Sequence, residues 1–354
     1  MGARPVSAGE VAEAVQAHPR VAAVGGGTKR PLVGEGAEIE MSGLTGLTEY
    51  EASEYTFTAK AGTPVSEVEE ALRAKGQYLP FDPLFAEAGA TLGGAVASGL
   101  SGPGRFRYGG LRDFLIGVQF VDGHGKLVRS GGKVVKNAAG FDLPKFLVGS
   151  LGRFGILTEV SFKVFPAPRE TVTLRVRCPD HGAAVERLAE VSSSRWEADA
   201  LDYEAGERAL FLRLGGPGKS LEPLSREIET RWPGEVERLA DPAVWTNVRE
   251  ARWSGGSTLV KVPMVPSKIV ALEERLESLE GVTSWYSSGG AVAWLALGES
   301  SREELDCVLD ESGMSGLTVQ GEGVASPWIG RRDSATVLSA VKAALDPENR
   351  FPDI

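Results

Sequence analysis

Three stretches of this chain give up side chains where the backbone would have to meet something. The first is VGGGTKRP, Val24 to Pro31. The second is GATLGGAVASGLSGPGRFRYGGLRDF, Gly89 to Phe114, which holds eight glycines and no acidic residue before Asp113. Both follow short strands and offer consecutive backbone N–H groups with no bulk in the way, an arrangement that suits the oxyanions of a pyrophosphate. Two such runs in one chain imply an extended dinucleotide. The third stretch, GSLGRFG from Gly149 to Gly155, presents further amides as the chain returns to a strand. Its Gly152 and Gly155 read equally as ligand contacts or as ordinary turns.

Two common phosphate-binding schemes are disfavoured. GGGTK lacks the GxxxxGK[ST] spacing, and no long helical pattern follows Lys29, which argues against phosphoryl transfer from ATP. Neither run is a Rossmann fingerprint, which needs GxGxxG opening a helix and an acidic ribose contact about 20 residues further on.

The elements that would hold these loops are legible around them. Ser7 and Glu10 form a capping box for a short amphipathic helix near the start. Val21 to Val24 is an apolar strand running into the first loop, and Tyr55 to Ala61 alternates with a period of two. Thr63 is placed to cap a helix with Pro64 in its first turn, Val65, Val68 and Leu72 on one face and Gly76 as its stop. A hairpin follows over Leu115 to Val121 and Lys126 to Arg129 through the turn DGHG. Asp142 caps a short helix carrying Leu143, Phe146 and Leu147, and Ile156 to Phe165 alternates again before Pro166 and Pro168 mark a boundary.

Beyond Pro168 the texture changes to regular strands and amphipathic helices. Two units of strand, helix, strand, strand and helix run from Thr171 to Trp232 and from Thr258 to Leu309, the second adding a strand over Leu317 to Gln320. Each reads as a split βαβ arrangement, so the expected product is one antiparallel sheet covered by helices on one face. A final helix, Ala335 to Leu345, spaces Val337, Val341 and Leu345 helically and is expected to pack back on the N-terminal domain.

At 354 residues and 42% hydrophobic, the chain has room for two or three domains. A net charge of −10 with no block of lysine and arginine argues against nucleic acid as a partner. Cys178 and Cys307 form no CxxC pair, which fits a reducing cytoplasm. Glu10 and Glu13 stand where a signal peptide needs an apolar run. The most apolar window elsewhere, Gly289 to Gly298, is about half the roughly 20 residues that span a bilayer. The expectation is a cytoplasmic protein with no direct membrane insertion, any membrane association running through a partner.

The order GGGTK, AGTPVSEVEEAL, GQYLPFDP, ATLGGAVASGLSGPGRFRYGGLRDFLIG, GGKVVKNAAGFDL and GSLGRFGILTEVSFKVFP resembles the PCMH-type FAD-binding domain of the vanillyl-alcohol-oxidase superfamily. Within that group it most resembles the FAD-binding E subunits of bacterial glycolate oxidases. The similarity is dense over Val24 to Pro168, and LPFDP, RYGGLRDF and KNAAGFDL are its most specific phrases. It implies an α+β fold with a two-subdomain FAD-binding domain over 1–168, a cap or substrate domain of ferredoxin-like repeats over 169–325, and a segment 326–354 returning to the FAD domain. By motif position, Gly25, Gly26, Gly27, Thr28 and Lys29 would hold one side of the pyrophosphate, and Ala90, Thr91, Gly93 and Gly94 the other. Ala97, Ser98 and Ser101 would lie along the flavin and ribityl chain, and Gly155 and Ile156 at the adenine end. The missing side chains would then make room for a flat cofactor.

The resemblance further implies noncovalent FAD and oxidation of the CH–OH group of a small 2-hydroxy acid such as glycolate. Electrons would pass to a second FAD-binding subunit and an iron–sulfur subunit. The alternative is an electron-transfer or assembly flavin subunit without substrate oxidation of its own. The catalytic base stays open. Arg105, Arg107 and Arg112 would each grip a carboxylate bidentately or favour an anionic reduced ring, or else form structural ion pairs such as Arg112 with Asp113. Tyr108 in the flavin segment and Tyr203, Tyr286 and Glu322 in the cap are further candidates. The three histidines, His18, His124 and His181, read as solvated surface residues, and no divalent-metal site is expected. A GGHAT-like segment usual in the family is replaced by GEGVASP, with Val324 where the histidine would stand.

Overall fold

The computed structural model describes residues 2–132, 142–241, 243–298, 301–332 and 336–353, so Lys136 to Phe141 of the KNAAGFDL phrase lie outside the described residues. The chain divides into two compact units. One comprises Met1–Ser101, Gly110–Ala167 and Asp333–Ile354, the other Gly102–Gly109 and Pro168–Arg332.

In the first unit, helix Ala8–Ala17 begins where the Ser7 hydroxyl accepts from the Glu10 amide at 3.3 Å, while the Glu10 carboxylate accepts from the Val6 amide at 2.9 Å. The helix buries Val11 and Val15 with Val21 of strand Val21–Val24, which runs parallel to Ala37–Glu40; Ile39, Ile156 and Phe351 complete that core. A five-stranded antiparallel sheet carries the rest, in the order Leu47–Glu51, Thr56–Lys60, Ile156–Lys163, Leu115–Val121, Leu127–Gly131. Its inner face is aromatic, with Phe57 and Phe162 fully buried and stacked at 5.6 Å. The first loop leaves strand Val21–Val24 and the third runs into Ile156–Lys163, but the second, expected after a strand, follows turns over 80–89 and leads into helix Leu92–Ser98.

Two local expectations fail for identifiable reasons. Helix Val65–Arg73 does bury Val65, Val68 and Leu72, but Pro64, not Thr63, is its N-cap. The Thr63 hydroxyl is already committed, donating to the Lys60 carbonyl at 2.7 Å and accepting from the Gly46 amide at 2.9 Å. In helix Thr336–Leu345, Val337 is 76% exposed while Lys342 is buried. The Asp346 carboxylate at 2.6 Å and the Phe351 carbonyl at 2.9 Å hold the lysine ammonium, so paired charge, not the valine stripe, decides which face turns inward.

The second unit is built on a nine-stranded antiparallel sheet. Its order is Val236–Leu239, Glu170–Arg177, Ala209–Gly216, Ala200–Glu204, Thr283–Ser287, Val292–Leu297, Thr258–Pro263, Ser315–Gln320, Trp328–Gly330. The two repeats join where Tyr203 registers opposite Tyr286. Helices His181–Ser193, Gly218–Arg231, Ile269–Leu276 and Arg302–Glu311 place Leu188, Ile228, Leu272 and Leu305 in one apolar core with Leu174, Leu212 and Leu295 of the strands. A short helix, Ala243–Arg249, packs Trp245 against Thr173, whose neighbours Leu174 and Val176 belong to that core.

Residues 102–109 group with the second unit although they fall within the expected FAD-binding span. Phe106 packs against the second unit's apolar core, and the Tyr108 hydroxyl donates to the Asp199 carboxylate at 2.8 Å. Residues 326–332, expected with the final segment, stay there too, because Trp328–Gly330 pairs with Ser315–Gln320. Among the described residues no helix is long and apolar enough to cross a membrane.

Candidate functional site

The first unit contains an open cleft at which the three glycine-rich stretches meet. Of the residues singled out in the sequence, Gly25, Gly26, Gly27, Thr28, Lys29, Thr91, Gly93, Gly94, Ala97, Ser98, Gly155 and Ile156 line it. Ala90 and Ser101 do not. Ala90 is fully buried and its carbonyl accepts from the Val65 amide, while the Ser101 hydroxyl accepts from the Leu111 amide at 2.9 Å. The wall also includes Leu151 and Gly152 of the third stretch, and Leu32, Val33, Met41 and Ala61, which no glycine run announces.

The first two loops have different chemistry. Around Gly25 to Thr28, no described residue accepts from the amides of Gly25, Gly26, Gly27 or Thr28. Gly27 sits at φ +70°, the left-handed region that favours glycine. Lys29 is buried, with its ammonium 3.0 Å from the Thr28 hydroxyl and 5.3 Å from the centre of the Phe85 ring. The amides of this loop bring donors to the cleft, the complement of an oxyanion.

The second loop has spent most of its donors internally. The Ala90 amide donates to the Phe85 carbonyl at 2.9 Å, Leu92 to Thr63 at 3.0 Å, Gly93 to Ala61 at 2.7 Å and Gly94 to the Thr91 hydroxyl at 3.2 Å. The Thr91 hydroxyl thereby caps helix Leu92–Ser98. Room for a cofactor does not explain every bare position. A β-carbon on Gly25 would strike the Thr91 hydroxyl, one on Gly26 the Gly89 carbonyl, and one on Gly93 would lie 2.8 Å from the Ala61 methyl. At these three glycines the protein itself fills the space. Gly94 is different: only the Thr91 hydroxyl, at 3.1 Å, stands near a β-carbon there.

The polar candidates lie elsewhere. Arg107 is engaged with the Glu197 carboxylate at 2.8 Å and Asp199 at 3.5 Å. Arg112 donates to the Lys145 carbonyl at 3.4 Å and does not pair with Asp113, whose carboxylate accepts from the Gly110 amide instead. Tyr203 and Tyr286 stack at 5.9 Å in the core of the second unit, and Tyr286 donates to Glu273. Burial holds both phenols well above their ordinary range, so neither serves as a base near neutrality. Glu322 is exposed. His181 is half-buried rather than solvated, with Nδ1 2.7 Å from the Tyr203 hydroxyl. None of His18, His124 or His181 lines the cleft.

Two groups of the second unit stand out by charge. Asp202 is fully buried and accepts from Trp285 Nε1, the Ser287 hydroxyl and the Ser288 amide at 2.8, 2.9 and 3.2 Å. Burial still pushes its carboxyl up to about 6. On strand Thr258–Pro263, burial first and the positive charge of Arg105 second bring Lys261 down to about 8. Among the described residues neither Lys261 nor Arg105 has an acidic partner.

The cleft combines apolar walls with unengaged amides on one side, and comparison with known proteins identifies the cofactor class of the chain. Residues 3–131 match the family described as FAD binding domain. The chain is 35% identical to the glycolate oxidase subunit GlcE of Escherichia coli strain K12, over 75% of this chain and 71% of that protein. It is 31% identical to the glycolate oxidase subunit GlcD of Bacillus subtilis strain 168, over 44% of this chain and 33% of that protein. An alkyldihydroxyacetonephosphate synthase structure shares the fold at a TM-score of 0.71 and 15% identity, covering 98% of this chain and 74% of that one. The protein is an FAD-binding oxidoreductase. It belongs to the family of the glycolate oxidase subunit GlcE.

Proposed function

We propose that this chain is the FAD-binding subunit of a glycolate or related 2-hydroxy-acid oxidase, that it holds FAD noncovalently, and that it passes electrons to a second flavin subunit and an iron–sulfur subunit. The carrying observation is the cleft: the unengaged amides of Gly25 to Thr28 beside Lys29 fit a pyrophosphate. Gly94, Ala97 and Ser98 offer a low surface for the flavin and ribityl chain, and Gly155 and Ile156 take the adenine end. When bound, the flavin accepts the electron pair that leaves the substrate's C–H bond. Noncovalent binding is supported by the absence of every histidine from the cleft wall. The chain works in the cytoplasm, any membrane contact being made through its partners.

One observation favours a second reading, in which the flavin only relays electrons: Tyr108 and Arg107 are tied to Asp199 and Glu197. Anaerobic titration of the isolated flavoprotein separates the two. Bleaching of the flavin absorbance by glycolate or D-lactate, with FAD released intact on denaturation, is the expected result. A flavin that resists both acids yet is reduced by dithionite selects the relay reading, and a colourless protein that takes up no FAD refutes both.

A further inference from the structure

The third loop holds a strained residue in the wall of the cleft. Leu151 has φ +51°, between Gly149 at +78° and Gly152 at +73°. A non-glycine residue in the left-handed region is unfavourable and persists only where its surroundings enforce it. Two bonds flank it. Its amide donates to the Ala97 carbonyl at 2.9 Å, joining the loop to the cleft-lining helix, and its carbonyl accepts from Arg153 Nη1 at 3.1 Å.

Arg153 is buried, does not line the cleft, and reaches in the other direction to the Asp353 carbonyl, at 2.6 Å from Nε. The segment it grips is itself anchored. Phe351 is fully buried, Arg350 donates to the Val15 and His18 carbonyls at 3.1 and 2.8 Å, and the Arg350 carbonyl accepts from the Val21 amide at 2.7 Å. Val21 begins the strand that runs into the first glycine loop. A single guanidinium thus ties the strained wall residue to a segment 200 positions later in the chain.

We infer that Arg153 is a positioning residue for the cofactor cleft: its fork between the Leu151 and Asp353 carbonyls keeps Leu151 in the left-handed conformation that shapes the wall, so that loss of the fork weakens FAD binding through Leu151. This inference rests on the reading of the cleft as an FAD site. The first stretch to lose its conformation would be Leu151–Gly152, and affinity would fall by the fraction of molecules still holding it.

The test is a double-mutant cycle on the full chain, with FAD dissociation constants from flavin fluorescence and, for each apo-protein, the hydrogen-exchange rate around Leu151. Arg153→Met in the parent chain should raise the dissociation constant about tenfold and speed that exchange. In a Leu151→Gly background, where the left-handed conformation costs little, the same substitution should change affinity by less than about twofold. Arg153→Lys, which keeps the charge but not the fork, should behave like Arg153→Met, and takes its place in the cycle if the methionine variant does not fold. Equal losses in both backgrounds, or no loss in the parent, overturn the inference. If the parent chain binds no FAD, the flavin reading fails instead, and unchanged exchange around Leu151 in the Arg153 variants would overturn the positioning role separately.

Discussion

The loops at Gly25 to Lys29 and Gly89 to Gly94 look alike in sequence and divide the work between them. The first leaves its amides without acceptors at the cleft, and the second consumes most of its own in folding. They also lean on each other, since Gly26 has no room for a β-carbon because of the Gly89 carbonyl. Glycine therefore serves two purposes here, close approach of backbone to backbone and exposure of backbone to a ligand, and composition alone cannot separate them.

Substitution can. The largest effect is expected from Gly26→Ala, which drives a methyl group into the Gly89 backbone. Apo-protein stability should fall by about 3 kcal/mol in urea unfolding, with FAD retention lost as the two loops part; unchanged apo stability would mean that the loops do not abut. A smaller and opposite pattern is expected from Gly94→Ala. Its new methyl meets only the Thr91 hydroxyl at 3.1 Å, so apo stability should change by less than about 1 kcal/mol in either direction. FAD affinity should nevertheless drop about tenfold or more, because the methyl stands on the surface the cofactor needs. If Gly94→Ala instead destabilised the apo-protein while sparing affinity, the second loop would be packing and nothing else.

Much of the framework was legible from local pattern. Strands Val21–Val24 and Leu115–Val121 occupy the spans their sequence predicts, because each is a short apolar run that ends at a glycine-containing turn. The family phrases likewise brought most of the cleft wall together before any fold was known. What escaped depended on partners distant in sequence. Lys342 is buried because Asp346 and the Phe351 carbonyl await it, and no periodicity reports that. Thr63 fails as a cap because Lys60 and Gly46 claim its hydroxyl. Leu32, Val33 and Met41 enter the cleft as ordinary apolar residues, outside every glycine-rich stretch. The internal bonding of the second loop was equally hidden, since its acceptors belong to Ala61, Thr63 and Phe85.

The contrast between the loops is tested most directly by hydrogen exchange of the backbone amides in apo-protein and in the FAD-loaded protein. The account predicts that amides of residues 25–28 exchange fast in the apo-protein and gain strong protection on adding FAD. Those of Ala90, Leu92, Gly93 and Gly94 should already be slow and change little. Equal protection gained in both loops, or none over residues 25–28, would contradict it.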